Sequence, residues 1–487
     1  MNLIRTIQSH IRNGEIGKAA QLCKSSPLDS ADLCESYAIC LSSMGKMDEA
    51  IIQQKKAVSL SSNDPRFYKN LGTFYALSQQ PEQALKAWIS CKEVHKNDPV
   101  FLHNLGTTAL KSNQFQTAAE CFVDVLKLDP TAPAPKRALA LAYVQLDENK
   151  KALECYIDIE KSQQESVQDL YQLALVARDL DQLDICRRAL ERALHKEPTH
   201  IEAQYEYAQL LLREHENTKG FATFEWRLKR TGAPSYNIAP ELSIGENPKG
   251  GKILIYSEQG AGDTLHFSSY LKILDEQHIE YDLLCHPSLV RYFKSYNISA
   301  IGFNQPLASY WRQCPLLSLP HRLKLDDPTQ NTSLSPYIKS AKHIGLCWTG
   351  SPSFANNHLR TPGFNHFEKL IKDNQTFEWT NLVPDHLDAD LNVKHVLTPQ
   401  SDYLDTAHLI KSLDLVITVD TSVAHLCGQL NIPTWLILHR PPDWRWFHDE
   451  ERSSLYPNIR IFKQKTPRDW TNTFLNVQHA LKELNAR

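Results

Sequence analysis

The chain has 487 residues, with 53 Lys and Arg against 56 Asp and Glu, and its formal net charge is −3. At roughly 100–200 residues per domain this length predicts about three domains, and the balanced charge argues against a nucleic-acid-binding protein. We expect neither a secretory signal nor a membrane-spanning helix, because no apolar run approaches the roughly 18–20 residues that a span needs. The 11 cysteines are scattered without a C-x-x-C pair, which is typical of reduced thiols in a cytoplasmic protein.

The first half of the chain repeats its pattern of small and large residues every 34 positions. A small residue recurs at each step, and a large residue stands directly before it. The small positions are Ala38, Gly72, Gly106, Ala140, Ala174 and Ala208. This spacing predicts a helix hairpin used six times, with residues 1–34 as a capping hairpin. The hairpins must stack, because one hairpin cannot bury its own apolar face.

The pattern resembles the tetratricopeptide repeat, and the best match is Tyr68-x-x-Leu71-Gly72-x-x-Tyr75. The resemblance implies that residues 1–230 form an α-solenoid whose groove docks a protein segment; the alternatives are a scaffold or a dimerisation arm. Asn70 and Asn104 each stand one residue before a repeat Leu. They are expected either to hold the backbone of an acceptor peptide or to form a solvated helix face.

The pattern changes after residue 230. Residues 231–250 are rich in Gly and Pro, which predicts a linker. Apolar strand-like runs then alternate with helical segments, first from residue 251 and again from residue 342. This alternation predicts parallel sheets with crossover helices. The predicted class is therefore all-α followed by α/β, with Rossmann-like halves at 251–341 and 342–470 and a terminal helix at 471–487 that packs back across them.

Ligands of open parallel sheets bind at the carboxyl ends of the strands, and the first candidate loop there is EQGAGD. Gly260 and Gly262 allow the backbone to approach a ligand closely. Asp263 is expected near the start of the following helix, where it either has a functional role at the ligand or caps the helix.

Two further loops have polar residues suited to an anion. Trp348 and Ser351 begin a loop that continues through Asn356, Asn357 and His358 to Arg360. It would suit phosphate oxygens, or it is a plain polar surface loop.

The third loop is Asp420-Thr421-Ser422-Val423-Ala424-His425. Hydroxyls and unpaired amides at the start of a helix form an anion site. His425 lies in the first helical turn, either beside the ligand or packed in the core.

Trp444 and Arg445 belong to a Pro442–Trp446 segment that suits a base, a sugar or an acceptor, or else plugs an interdomain gap. Asp388 and Asp390 have the spacing of a metal-binding pair but no supporting ligands, so we interpret them as surface residues and expect no metal site.

Residues 220–465 resemble the C-terminal part of bacterial tetratricopeptide proteins with a heptosyltransferase-like glycosyltransferase domain. The matching stretches are GFATFEWR, EQGAGDTLHF, CPLLSLP, GLCWTGSP, DTAHLI, DLVITVDTSVAHLCGQL and PDWRWF. The resemblance implies a GT-B fold, a nucleotide-sugar donor bound mainly by the C-terminal half, and inverting transfer without a metal. The overall plan is similar to O-linked N-acetylglucosamine transferases and flagellin glycosyltransferases.

By this resemblance Asp263 matches the family's general base, and Asp420, Thr421, Ser422 and His425 match its donor-diphosphate motif. The full predicted donor-binding set is Gly260, Gly262, Trp348, Ser351, Arg360, Asp420, Thr421, Ser422, His425, Trp444 and Arg445. Heptosyltransferases carry a Lys near the Trp348 loop, where this chain offers Arg360, so the donor sugar stays open.

The sequence thus predicts a cytoplasmic, metal-independent glycosyltransferase that uses a nucleotide-diphosphate sugar as co-substrate and no resident cofactor. Its acceptor would be a protein docked on the array, modified on Ser or Thr, for example flagellin or another surface protein. Homo-oligomerisation through the array is a further option. The alternatives are a lipopolysaccharide-type glycan transferase and a non-catalytic adaptor with a degenerate GT-B domain.

Overall fold

The structure is a computed structural model, and it describes residues 2–234, 236–325, 338, 340–352, 357–384, 391–446 and 451–485. The chain divides into two compact units, Met1–Ala177 and Arg178–Arg487. We call the first the repeat unit and the second the two-sheet unit. Within the described residues, no helix is both long enough and apolar enough to cross a membrane.

The repeat unit is built from helices joined by short turns. They are α1 (Asn2–Arg12), α2 (Ile16–Lys24), α3 (Ala31–Ser43), α4 (Met47–Leu60), α5 (Pro65–Leu77), α6 (Pro81–Ile89), α7 (Pro99–Lys111), α8 (Phe115–Leu128), α9 (Pro133–Gln145), α10 (Asn149–Lys161) and α11 (Val167–Asp179), which ends just past the unit boundary. The predicted helical repeats are confirmed, and α1 and α2 occupy the segment expected to cap them.

The small repeat positions allow the two helices of a hairpin to touch. A Cβ added to Gly72 in α5 would lie 2.4 Å from the Trp88 ring of α6. Helix starts are equally regular, because Asp64 and Asp98 each accept a hydrogen bond from a first-turn amide, ahead of Pro65 and Pro99. Aspartate caps and a first-position proline both favour helix initiation.

The two-sheet unit begins with three more repeat helices, α12 (Leu183–Lys196), α13 (Ile201–Arg213) and α14 (Asn217–Phe224). They belong to this unit because α14 contributes to its core. The Phe221 and Phe224 rings lie 6.4 and 6.0 Å from the Trp444 ring, and Phe221 lies 6.1 Å from Phe267. The end of the array is therefore built into the α/β region.

The first sheet consists of parallel strands with helices between them. Its elements are β1 (Ile253–Tyr256), α15 (Ala261–Phe267), α16 (Ser269–Glu276), β2 (Tyr281–Cys285), α17 (Pro287–Ser295), β3 (Ala300–Gly302), β4 (Arg312–Pro315) and α18 (Leu319–Arg322). The strand order is β3-β2-β1-β4, and Ile253 of β1 pairs with Tyr281 of β2 and with Arg312 of β4.

The second sheet is larger and also parallel. Its elements are β5 (His343–Cys347), α19 (Asn357–Arg360), α20 (Phe364–Asp373), β6 (Glu378–Asn381), β7 (Val393–His395), α21 (Tyr403–Ile410), β8 (Leu415–Val419), α22 (Ser422–Gln429), β9 (Thr434–Leu438), β10 (Ile459–Lys463) and α23 (Thr471–Asn485). The strand order is β10-β9-β8-β5-β6-β7.

Both sheets have a point at which the strand order reverses. The second sheet has the doubly wound order 3-2-1-4-5-6 of a Rossmann sheet, and the first has the 3-2-1-4 part of that order. The reversal falls between β1 and β4 in the first sheet and between β5 and β8 in the second. Ligand crevices form at such positions, so the loops after β1, β5 and β8 are the ones to examine. The terminal helix α23 packs on α20, where Phe474 contacts His366 and Phe367, and on β10.

Candidate functional site

The loop after β1 meets the start of α22, which follows β8. A Cβ added to Gly262 would lie 3.1 Å from Cδ2 of His425 and 3.4 Å from Cα of Ser422. A side chain at this position would require His425 to move by a few tenths of an ångström, so glycine suits this close approach. The structure thus brings together the two loops that the sequence singled out, one from each sheet. We call the space around them the cleft.

Asp263 is held in a charged cluster at the cleft. Its Oδ2 accepts a hydrogen bond of 3.1 Å from the amide of Gly260, so it reaches back over the first turn of α15 rather than forming the N-cap itself. The other carboxylate oxygen pairs with Arg445, which also donates to Asp443 at 2.8 Å. The Asp263 side chain is 24% exposed and that of Arg445 only 9%. Burial raises the pKa of the Asp263 carboxyl, while the Arg445 charge acts against this rise.

The start of α22 is less open to an anion than the sequence predicted. The hydroxyl of Thr421 is buried and accepts a hydrogen bond from the Val423 amide at 3.3 Å, and the Thr421 carbonyl accepts from Ala424. The Ser422 hydroxyl bonds to that of Tyr403 at 2.7 Å. Thr421 therefore caps its own helix, and its part in donor binding stays a prediction. Ser422 accepts its bond from Tyr403, so its own O–H can donate to a ligand oxygen.

His425 is packed among aromatic rings, as one of the two interpretations of its position expected, and its part in donor binding stays a prediction. Its ring stacks on Trp446 with centroids 5.0 Å apart and lies parallel to His266 at 5.6 Å. Its Nδ1 is 3.2 Å from the Tyr456 hydroxyl. Burial and the Arg445 charge lower the pKa of His425 to about 3. The imidazole is therefore neutral near pH 7 and brings no positive charge.

Asp420 lies at the end of β8, directly before this cap. Its Oδ1 accepts a hydrogen bond of 2.9 Å from the Trp446 indole nitrogen. Burial, and then the negative charge of Asp443, raise the pKa of Asp420 to about 6. This carboxyl can change charge close to neutral pH.

The loop after β5 is organised by Asn357. Its Oδ1 accepts from the Gly350 amide at 3.3 Å and from Nε of Arg360 at 3.0 Å. A Cβ at Gly350 would lie 2.3 Å from the Arg360 guanidinium. The charge of Arg360 acts on Asp420, so this arginine belongs electrostatically to the site.

Other predicted members of this loop are placed differently. Trp348 is buried against Phe364, 5.0 Å between ring centroids, and Ser351 is exposed. Asn356, Asp388 and Asp390 lie outside the described residues. Trp348 therefore anchors the start of the loop in the core by packing on Phe364.

The Trp444–Trp446 turn contacts both loops of the cleft, through Arg445 with Asp263 and through Trp446 with His425. All three residues are buried, and Trp444 is covered by His266 and Phe267 in addition to the α14 phenylalanines. This burial agrees with the alternative of a packing plug, and donor binding by Trp444 stays a prediction. Within the turn, Arg445 presents a charged group next to Asp263.

The sequence interpretation missed a buried ion cluster behind the cleft. Arg227 donates to Glu258 at 2.7 Å and to Glu225 at 2.8 Å, and it also bonds to Ser318. The side chains of Arg227 and Glu258 are 3% and 2% exposed. The GFATFEWR stretch contains Arg227 but gives no sign of its partner, which stands 31 positions later.

Several buried polar atoms around the cleft have no hydrogen-bond partner in the part of the chain that the structure describes. They are Ser257 Oγ, Glu258 Oε2, His266 Nδ1 and Arg445 Nε. Unpaired buried polar groups are costly and concentrate at functional sites. Among the described residues, no group of three or more His, Cys, Asp or Glu is arranged to hold a metal ion.

The two predicted groove asparagines lie in the repeat unit. Asn70 donates to Glu35 at 2.7 Å, so one of its hydrogen bonds is made within the chain. Asn104 is exposed. The two side chains therefore differ in what they offer to a peptide.

Residues 31–64 and 103–160 each match a family model of the tetratricopeptide repeat. No curated protein matches the chain. Among solved structures the chain is similar to MamA AMB-1, at 19% identity over 34% of this chain and 92% of that one, with a TM-score of 0.32. It is also similar to Pseudomonas aeruginosa PilF, at 18% identity over 42% and 94% of the chains and a TM-score of 0.31.

A third similar structure is Naa15/Naa10 bound to HypK, at 19% identity over 48% of this chain and 37% of that one, with a TM-score of 0.38. The family matches establish tetratricopeptide repeats in the N-terminal part of this chain. Such repeats suggest a role in binding proteins. A region of parallel sheets follows them.

Proposed function

We propose that this chain is a GT-B glycosyltransferase that moves a sugar from a nucleotide-sugar donor to a protein bound by its repeats. The observation that supports this most is the contact of Gly262 with Ser422 and His425. This contact joins the loops at the reversal points of the two parallel sheets, as a two-half transferase requires.

In the proposed reaction the acceptor hydroxyl oxygen attacks the anomeric carbon of the donor. A new carbon–oxygen bond forms, the bond to the diphosphate breaks, and the nucleoside diphosphate leaves with the bonding pair. Asp263 takes the proton of the acceptor hydroxyl. Arg360 supplies positive charge, since His425 is neutral and Arg445 is paired with Asp263 and Asp443. Such charge stabilises the leaving group in a water-poor site.

The second candidate is a non-catalytic adaptor with a degenerate transferase fold. The Thr421 cap favours it, because this cap occupies amides that a diphosphate would otherwise use. The retained Asp263–Arg445 pair favours the enzyme. An adaptor would bind neither nucleotides nor nucleotide sugars.

The test uses the full chain. Titration calorimetry with UDP, GDP, ADP and CDP, and hydrolysis of the corresponding nucleotide sugars with and without EDTA, should reveal one preferred nucleotide and metal-independent turnover. Asp263→Asn keeps an acceptor for the Gly260 amide but cannot take a proton efficiently. We expect kcat to fall by about 10²-fold or more while nucleotide affinity changes by less than about twofold.

Asp443→Asn is the matched control, because it also removes one carboxylate partner of Arg445 but leaves the proposed base in place. We expect its kcat to fall by less than about fivefold. Near wild-type turnover by a folded Asp263→Asn protein would contradict the assignment of the base. A chain that binds none of the four nucleotides and hydrolyses none of the sugars would leave the adaptor as the explanation.

A further inference from the structure

The last repeat hairpin brings a tyrosine close to the Trp444–Trp446 turn, which carries Arg445. Helix α13 contacts the Trp444–Trp446 turn. On this helix the Tyr205 ring stacks on Phe224 with centroids 5.7 Å apart, and the Arg230 guanidinium lies 4.3 Å from the ring centre. These contacts hold the aromatic ring in place and do not involve the hydroxyl group.

The Tyr205 hydroxyl has no hydrogen-bond partner among the residues that the structure describes. Phe224, on which the Tyr205 ring stacks, lies 6.0 Å from Trp444, the neighbour of Arg445. The charges of Arg445, Asp443 and Asp263 act on the pKa of Tyr205, in agreement with this position. Burial raises the pKa of Tyr205. The phenol is therefore protonated at neutral pH and can both donate and accept a hydrogen bond.

The surroundings of this hydroxyl favour a neutral ligand group over a phosphate. The negative charges of Asp263 and Asp443 act on Tyr205, and Arg445 is already paired with both carboxylates. A phosphate oxygen would meet like charge there, whereas an alcohol or water oxygen would not. An alcohol can donate its proton to a carboxylate while it accepts a hydrogen bond from a phenol.

We propose that the Tyr205 hydroxyl holds the attacking hydroxyl group, or water when no acceptor is bound, beside Asp263. This inference rests on the proposed transferase function. The Tyr205 O–H donates to the attacking oxygen, and that oxygen gives its proton to Asp263 as its bond to the anomeric carbon forms and the bond to the diphosphate breaks. The repeats then contribute an acceptor-positioning residue in addition to a docking surface.

Hydrolysis of the nucleotide sugar by the full chain reports on this role, because water is then the attacking group. Tyr205→Phe keeps the stacked ring and removes only the hydroxyl. We expect kcat to fall by about tenfold or more, with KM for the donor and affinity for its nucleoside diphosphate unchanged within about twofold.

Tyr207→Phe is the control on the same helix. Its hydroxyl is used elsewhere, 2.9 Å from Glu191 and 3.0 Å from Lys219, so kcat should stay within about twofold of the wild-type value. In the double variant of Tyr205→Phe with Asp263→Asn, kcat should lie within about twofold of that of Asp263→Asn alone, because both groups act on one oxygen. Melting temperatures of all variants verify folding.

A wild-type kcat in Tyr205→Phe overturns the inference and leaves the proposed function standing. So does a loss confined to KM or nucleotide affinity, which would make Tyr205 a donor contact. If the wild-type chain neither binds the nucleotides nor hydrolyses the sugars, the proposed function fails, and this inference fails with it.

Discussion

Asp420 is a carboxyl of the cleft whose protonation changes close to neutral pH. Its raised pKa of about 6 means that the folded chain holds this proton more firmly than the unfolded chain does. Its contribution to folding therefore becomes less favourable as pH rises through about 6. Above that pH it also places a negative charge next to the start of α22, where the donor diphosphate is proposed to bind.

Asp420→Asn should consequently bind nucleoside diphosphate more tightly than the wild type at pH 7.5. The Asn oxygen can still accept from the Trp446 indole, so the local geometry is kept. Removal of a repulsion of about 1 kcal/mol corresponds to about a fivefold lower Kd. At pH 5 the two proteins should bind alike, because Asp420 is then protonated. Calorimetry at both pH values measures the ratio of the wild-type Kd to the Asp420→Asn Kd. Protonation of the nucleotide phosphate affects both proteins equally and therefore cancels in this ratio. The same ratio at both pH values would contradict the prediction.

Individual site residues were predictable where they follow a strand and not where they pair across the chain. Asp263, Asp420 and Ser422 stand out because a Gly or hydroxyl residue next to a buried run predicts a loop at a sheet edge. The partner of Asp263 is Arg445, 182 positions away, and no spacing in the sequence encodes that distance. The side chains of Trp444 and His425 had two interpretations, and the sequence pattern alone does not decide between them.

At the scale of elements, the helix hairpins follow closely from the sequence, because each rests on contacts within about 34 residues. The turn inside each hairpin was less evident. A residue with positive φ recurs at the same repeat position, and five of the six are not glycine: Gly45, Gln79, Asn113, Asp147, Asp181 and His215. The strand order of the sheets was not predicted, since it depends on which strands meet after the crossovers.

The contact of Gly72 with Trp88 gives a test of hairpin packing. The indole cannot move aside easily, because it is buried and its Nε1 donates to the Lys69 carbonyl at 2.9 Å. Gly72→Ala should therefore lower the free energy of unfolding by about 1–3 kcal/mol through overpacking. Gly17 in α2 is the matched control, because a Cβ there meets nothing within 4 Å. Gly17→Ala should be neutral or stabilising by up to about 1 kcal/mol.

Urea denaturation of the full chain, followed by helical circular dichroism, compares the two substitutions. A Gly72→Ala protein that unfolds at the wild-type urea concentration would show that the hairpin accommodates a side chain at this position.

At the scale of the whole molecule, the structure divides the chain between Ala177 and Arg178, whereas the repeat pattern predicts a change at residue 231. Sequence periodicity follows local helix packing and continues to α14. It does not register that α14 also packs on the α/β core through Phe221 and Phe224. A repeat helix that packs on both the preceding repeat and the α/β core has the same sequence pattern as one that packs on repeats alone.

This division predicts where the chain can be cut. A fragment of residues 178–487 retains Arg227 with Glu258, together with the α14 rings against Trp444, and should melt cooperatively and bind the same nucleoside diphosphate as the full chain. A fragment of residues 231–487 leaves Glu258 buried without its arginine, and breaking a buried pair in this way costs about 3–5 kcal/mol. It should therefore neither melt cooperatively nor bind the nucleotide.

Arg227→Met in the full chain isolates the ion pair from the rest of the cut. We expect it to lower the free energy of unfolding by about 3 kcal/mol or more. Arg291→Met in the same unit is the control, because Arg291 pairs with Asp402 and Asp405 at the surface and is 59% exposed; its effect should stay below about 1 kcal/mol. The fragment of residues 231–487 could instead melt cooperatively and bind nucleotide as the longer fragment does. The last hairpin would then not be required for the folding of the two-sheet unit.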